Sequence, residues 1–232
     1  MAAGERGPSE TPRAASAAAN PARRQRGAET RATILEVAER IFAEVGLAGA
    51  RTEAIAQAAG VNKALLYYYF KSKDDLYRAV LESHLTEFRR RALGILEQTE
   101  DARAKILRYM NLHFDFISAR PYYPQLVQRL MSTDDRLVHR LYQEYSAPLY
   151  SKLVNAIEEG VRSGEFRPVD PHHTVYSLVG LSVFYFAAAP IVKEVSHIDA
   201  FNRANVMRRK DEVLRFVRYG LFREPEAKLA RE

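Results

Sequence analysis

Residues 52–81 read TEAIAQAAGVNKALLYYYFKSKDDLYRAVL. Ile55, Ala56 and Ala59 give the first part of this stretch one inward face, and Thr52 stands where a helix N-cap belongs. Gly60 closes that short helix and Val61 turns inward. Asn62 is a second N-cap, opening a helix from Lys63 to about Phe70. Ser72 with Asp75 three residues later makes a capping-box-like start for a long helix, about 73–97.

Two short helices joined by a tight glycine turn form the helix-turn-helix pattern, whose second helix lies in the DNA major groove. Neighbours on a helix point about 100° apart, so three adjacent tyrosines cannot share one face. Leu66 and Phe70 face inward and Tyr69 leans the same way; Ala64, Tyr68 and Lys71 face outward, and Tyr67 shares an edge with Lys63. Tyr67 and Tyr68 offer a flat ring for a thymine methyl and a hydroxyl for a phosphate. Ala64 is small enough to let the backbone approach base edges, and Lys63 can reach a guanine edge or a phosphate. Lys73, in the first turn of the next helix, is placed to hold a phosphate with the free N–H groups there. Thr52 could hold another from the far side of the groove. An ordinary amphipathic hairpin with solvated tyrosines and lysines has the same spacing, so spacing leaves both readings open.

Working outward, residues 1–27 are rich in Ala, Pro, Gly, Ser and Arg, with almost no large apolar side chain, and read as a disordered basic tail. Arg23, Arg24 and Arg26 are either a solvated linker or an arm that touches the DNA backbone or minor groove. Ile34, Ala38, Ile41, Phe42 and Val45 make one apolar stripe of a helix over about 29–45, ended by Gly46. Further helices are expected at about 101–119, 122–131, 134–163, 171–188 and 196–221, with Asp170-Pro171 as an N-cap and N1 pair. No strand-length alternation appears, and the fold class is all-α.

The chain of 232 residues carries a net charge of +6, which permits an anionic partner. Residues 31–78 hold seven basic and six acidic side chains, so a nucleic-acid face must come from clustering; residues 62–73 supply it with three lysines and no carboxylate. The absence of cysteine excludes disulfides and thiol catalysis and fits a cytoplasmic protein. The longest apolar run, Leu178–Val192, has 15 residues, short of the roughly 20 that span a bilayer. No membrane association is expected. No Ser-His-Asp spacing, phosphate loop or dinucleotide fingerprint appears, so neither an enzyme nor a cofactor is expected. His172 and His173 are adjacent, cannot converge on one metal, and read as first-turn surface residues.

Residues 52–81, and the opening helix ATILEVAERIFAEVGLAGA at 32–50, resemble the DNA-binding segment of the TetR (tetracycline-repressor) family of bacterial transcription regulators. The resemblance covers about residues 28–81. It implies a helix-turn-helix DNA-binding domain at 28–75 and a larger helical ligand-binding and dimerisation domain at 76–232. It further implies a homodimer on a palindromic double-stranded operator, acting as a repressor released by a small hydrophobic ligand. The alternative is a DNA-binding regulator without inducer, whose C-terminal domain serves dimerisation or protein contacts. Carried over by position, the family's DNA contacts fall on Thr52, Asn62, Lys63, Ala64, Leu65, Tyr67, Tyr68, Tyr69 and Lys73. Ala64 stands where glycine is frequent. Leu65 stands where a small polar residue is frequent and cannot donate a hydrogen bond, so one polar contact is expected to be missing.

By the same resemblance a ligand cavity opens among the helices after residue 98. Met110, Phe114, Tyr122, Leu126 and Met131 are its expected apolar wall, with His113, Gln128 and Tyr145 as polar tips. For each of these, plain core packing satisfies the helical spacing equally. Tyr176, Gly180 and Phe184, with Val213, Phe216 and Val217 on the last helix, are the expected dimer interface, a four-helix bundle across the two-fold; burial within one subunit is the alternative.

Overall fold

The computed structural model describes residues 21–98, 101–131 and 135–223. Among them the chain is helical throughout, its only β feature an isolated bridge between Phe166 and Phe222. The N-terminal helices are α1 (Pro21–Gly49), α2 (Thr52–Ala58) and α3 (Lys63–Tyr69). The long α4 (Lys73–Leu96) leads to α5 (Ala102–Ser118), α6 (Tyr123–Met131) and α7 (Asp135–Leu141). A π-helical turn, Tyr142–Ser146, runs into α8 (Ala147–Arg162), followed by α9 (Pro171–Ala187), α10 (Ala189–Ser196) and α11 (Arg203–Leu221).

Capping chemistry sets most of these boundaries. Asn62 Oδ1 accepts from Leu65 N at 2.7 Å, and Ser72 Oγ from Asp75 N at 3.0 Å. Asp75 Oδ2 accepts from Lys71 N at 3.2 Å, one residue before the N-cap, a variant of the capping box with Asp in the usual Glu place. Asp170 Oδ1 accepts from His173 N at 2.9 Å. Gly60 ends α2 at φ +67°, with Val61 N bonded to Ala56 O and Gly60 N to Gln57 O, a paired closure that needs a left-handed residue.

Three expectations change. The helix that was to begin near residue 29 begins at Pro21, inside the segment expected as tail. Its first turns rest on α3, where a Cβ at Gly27 would stand 3.4 Å from the Tyr69 hydroxyl; residues 1–20 lie outside the described residues. Arg51, in extended conformation, takes the N-cap place of α2, and Thr52 is the first helical residue. The helix expected over 196–221 begins only at Arg203; a separate α10 precedes it, with proline in its first turn and His197 closing it at φ +55°.

Two apolar cores meet along α4. Ile34, Phe42, Ile55, Leu66, Phe70 and the α4 residues Leu76, Tyr77, Val80 and Leu81 form the first. That core therefore continues past residue 75, where the domain boundary was expected. Phe88, Ala92 and Leu96, further along α4, belong to the second core with α5, α8, α9 and α11. Leu126 and Leu130 of α6 also lie in the first core. Arg129 extends this contact, donating from Nε to Ala43 O and from Nη2 to Glu44 O, both at 3.0 Å, which caps the carbonyl end of α1 next to Gly46 (φ +74°).

Candidate nucleic-acid interface and ligand cavity

On α3 the outward residues are those the helical geometry selects. Tyr68 is 80% exposed and Tyr67 41%, while Leu66 and Phe70 are buried. Ala64 and Asn62 are exposed beside them. Leu65 and Tyr69 are half-buried and, with Gly27, Thr30 and the three α1 arginines, line a groove between α1 and α3. An apolar residue at 65 thus faces a groove walled on its other side by the N-terminal extension of α1. Sequence reasoning missed this because the extension was assigned to the tail.

The cations are more engaged than the spacing indicated. Lys63 forms an ion pair with Glu53 on the first turn of α2 and lies 5.9 Å from the Tyr67 ring centroid. The hydrogen bond between them lowers the Glu53 pKa and raises that of Lys63. Lys73 Nζ donates to Ala50 O at 3.0 Å and Ala48 O at 3.4 Å, tying α4 to the end of α1. The expected phosphate anchor at 73 thus also bridges two helices. Thr52 is buried, its hydroxyl 3.4 Å from that of Tyr67.

Behind this domain a cavity of about 270 Å³ opens between α4, α5, α6, the π turn, α8 and α9. Its wall is aromatic: Phe88, Tyr109, Phe116, Tyr123, Tyr145 and Tyr150 all reach it, as does His113. Burial pushes the Tyr123 hydroxyl up to about 12 and Tyr109 higher still. No Asp, Glu, Lys or Arg lines it among the described residues. The π turn supplies Tyr142, Tyr145 and Ser146 to one wall, and such wide turns are frequent at functional sites.

Of the expected cavity residues, His113 and Tyr145 line it. Met110 and Phe114 are buried one stripe away on α5, where Phe114 meets Phe186 at 5.3 Å between centroids. Leu126 points into the N-terminal core, and Tyr122 packs against the same core. Gln128 is not among the lining residues, and the Met131 side chain lies outside the described residues. Tyr109 and Tyr123, each beside a residue chosen from the sequence, take the positions instead. Helical periodicity identifies a face but not the neighbour that face meets.

Residues 34–80 match the model of bacterial regulatory proteins of the tetR family, and residues 99–226 that of the tetracyclin repressor-like C-terminal domain. The chain belongs to the TetR family. This TetR-family protein is 30% identical over 164 residues to the HTH-type transcriptional regulator RutR of Escherichia coli K12, covering 70% of this chain and 76% of RutR. Its fold is shared with a putative transcriptional regulator from Saccharomonospora viridis in complex with choline (TM-score 0.67, 22% identity, 85% of this chain and 100% of that one). It is also shared with FadR from Bacillus subtilis in complex with stearoyl-CoA (TM-score 0.64, 20% identity, 80% and 96%). The protein is a DNA-binding transcriptional regulator with an N-terminal helix-turn-helix domain and a helical C-terminal domain.

For this TetR-family regulator the expected dimer residues divide. Tyr176, Gly180 and Phe184 form an exposed stripe on α9, and Phe216 is exposed on α11. Val213 and Val217 are buried inside their own subunit, in the second core. Tyr219, 69% exposed and three residues beyond Phe216, extends the exposed apolar face of α11. Among the described residues no single helix is long and apolar enough to cross a membrane, and no group of His, Cys, Asp or Glu could hold a metal.

Proposed function

We propose that the protein is a homodimeric repressor whose affinity for a palindromic operator is set by a small hydrophobic ligand in the α4–α9 cavity. The observation that carries this is the double engagement of α6. Tyr123, Pro124 and Val127 border the cavity, while Leu126, Leu130 and Arg129 of the same helix hold α1. A ligand that displaces Tyr123 moves the support of the DNA-binding domain. α4, with residues in both cores, is one path between cavity and DNA-binding domain; α6 is a second, shorter one. The two recognition helices of a dimer must sit about one helical turn apart, ~34–36 Å, to read both half-sites. A ligand that favours another spacing lowers operator affinity in proportion to its preference for that state.

Ala64, Tyr67 and Tyr68 are the base-reading surface in this proposal. Lys63 leaves Glu53 for a phosphate on binding, and Arg23, Arg24 and Arg26 add backbone contacts from the α1 extension. The exposed α9–α11 apolar face pairs with its copy, since uncovered apolar patches of this kind mark interaction sites. The relatives' regulatory role supports a non-enzymatic protein.

Selection of bound fragments from a random DNA pool tests the reading. A two-fold symmetric site with half-sites one turn apart is expected; recovery of no symmetric site sinks the proposal. If sites are recovered and no hydrophobic compound shifts their binding, the inducer-free regulator is correct.

A further inference from the structure

The cavity wall contains a hydrogen-bond acceptor with no hydrogen to accept. His113 is 8% exposed, and its Nδ1 lies 2.8 Å from Ser182 Oγ on α9. That hydroxyl, itself fully buried, donates to Val179 O at 3.0 Å. A serine has one hydroxyl hydrogen; with that hydrogen on Val179 O, Ser182 accepts from His113 and the ring proton sits on Nδ1. Burial keeps the imidazole neutral, its pKa drawn down to about 4. A neutral ring protonated at Nδ1 carries a lone pair on Nε2. Among the described residues nothing is hydrogen-bonded to Nε2, and the ring is part of the cavity wall. Tyr109 stacks on the ring at 5.6 Å and Phe88 lies at 5.1 Å, which fixes its orientation.

The rest of the wall narrows the choice of ligand. With no charged side chain among the described lining residues, a carboxylate would lose its hydration without gaining a counter-ion, and a quaternary ammonium would have only ring faces in exchange. An apolar cavity of ~150 Å³ holds benzene, and this one, at about 270 Å³, has room for a second ring.

Resting on the reading of the cavity as the effector site, we infer that the effector is an uncharged, mainly apolar molecule of about two fused rings whose hydroxyl or N–H donates to His113 Nε2. Ser182 is the positioning residue, fixing the tautomer from behind. A ligand that offers only an acceptor at this point leaves two lone pairs facing each other in an apolar site.

Calorimetric titration of the full-length protein with 2-naphthol, 2-methoxynaphthalene, 2-naphthoate and choline tests this. The naphthol is expected to bind about tenfold more tightly than its methyl ether, the difference of one buried hydrogen bond. Naphthoate and choline are expected to be weaker than either. His113→Phe, checked for folding by thermal melting, should reduce the naphthol preference to less than about twofold. Nitrogen NMR of histidine-labelled wild-type protein gives a second readout without mutation: Nδ1 protonated when free, and the Nε2 resonance moving when naphthol binds. An ether that binds as well as the naphthol, a preference for naphthoate or choline, or a proton on Nε2 in the free protein overturns the inference and leaves the cavity reading standing. If none of the four compounds binds, both fall together.

Discussion

Tyr68 shows how far a single side chain can be assigned. It is 80% exposed on a helix whose Leu66 is fully buried, and its ring makes only an edge contact with Tyr69 at 5.3 Å. Tyr68→Ala should cost about 1–3 kcal/mol of discrimination between operator and random DNA, leaving thermal stability unchanged; competition binding with both DNAs reads this. His113 gives a prediction of opposite kind. Its folded pKa of about 4 lies below the ordinary 6.5, so the unfolded chain takes up this proton first as pH falls. The stability it contributes is complete above about pH 6.5 and declines towards pH 4, by up to about 3 kcal/mol. Urea midpoints at pH 7.5 and 5.0 should therefore separate more for the wild type than for His113→Phe. Both residues could be picked out from the sequence, Tyr68 with its role and His113 without its partner. Nothing in the chain places Ser182 opposite His113, because the two lie 69 positions apart and only the α5–α9 contact joins them.

At the scale of elements, the sequence was most informative where local chemistry decides. Asn62, Ser72 and Asp170 mark helix starts with their own hydrogen bonds, and those starts agree with the structure. It was least informative where another helix decides. The α1 extension is held by α3, and α10 by a bend after α9, neither of which leaves a periodic signal of its own. Lys73 belongs to this class, since its acceptors lie on Ala48 and Ala50. Lys73→Ala should lower stability by about 1 kcal/mol, visible in denaturant midpoint, and should change the salt dependence of DNA binding little. Replacing Arg23, Arg24 and Arg26 together by alanine should do the reverse. The slope of log affinity against log salt should flatten by up to about 0.9 for each phosphate no longer neutralised, with the denaturant midpoint unmoved.

For the whole molecule, two recognition helices must be presented at once, and the α9–α11 face is where the copies meet in the proposed assembly. Phe184 is 73% exposed in the single chain and sits on the α9 stripe with Tyr176 and Gly180. Phe184→Glu should give a folded monomer by sedimentation, with operator affinity falling by roughly a hundredfold or more because the half-sites are no longer tethered. Set against that requirement for a pair, the Glu53–Lys63 contact has a consequence beyond the site it occupies. The Glu53 carboxylate stands where a phosphate would in the proposed complex, and every DNA segment, whatever its sequence, would have to displace it. The displacement weakens all sites alike and leaves their ranking untouched. With ~10⁶–10⁹ non-specific sites competing in a genome, such an internal stand-in for phosphate would shorten each fruitless stop on the chromosome.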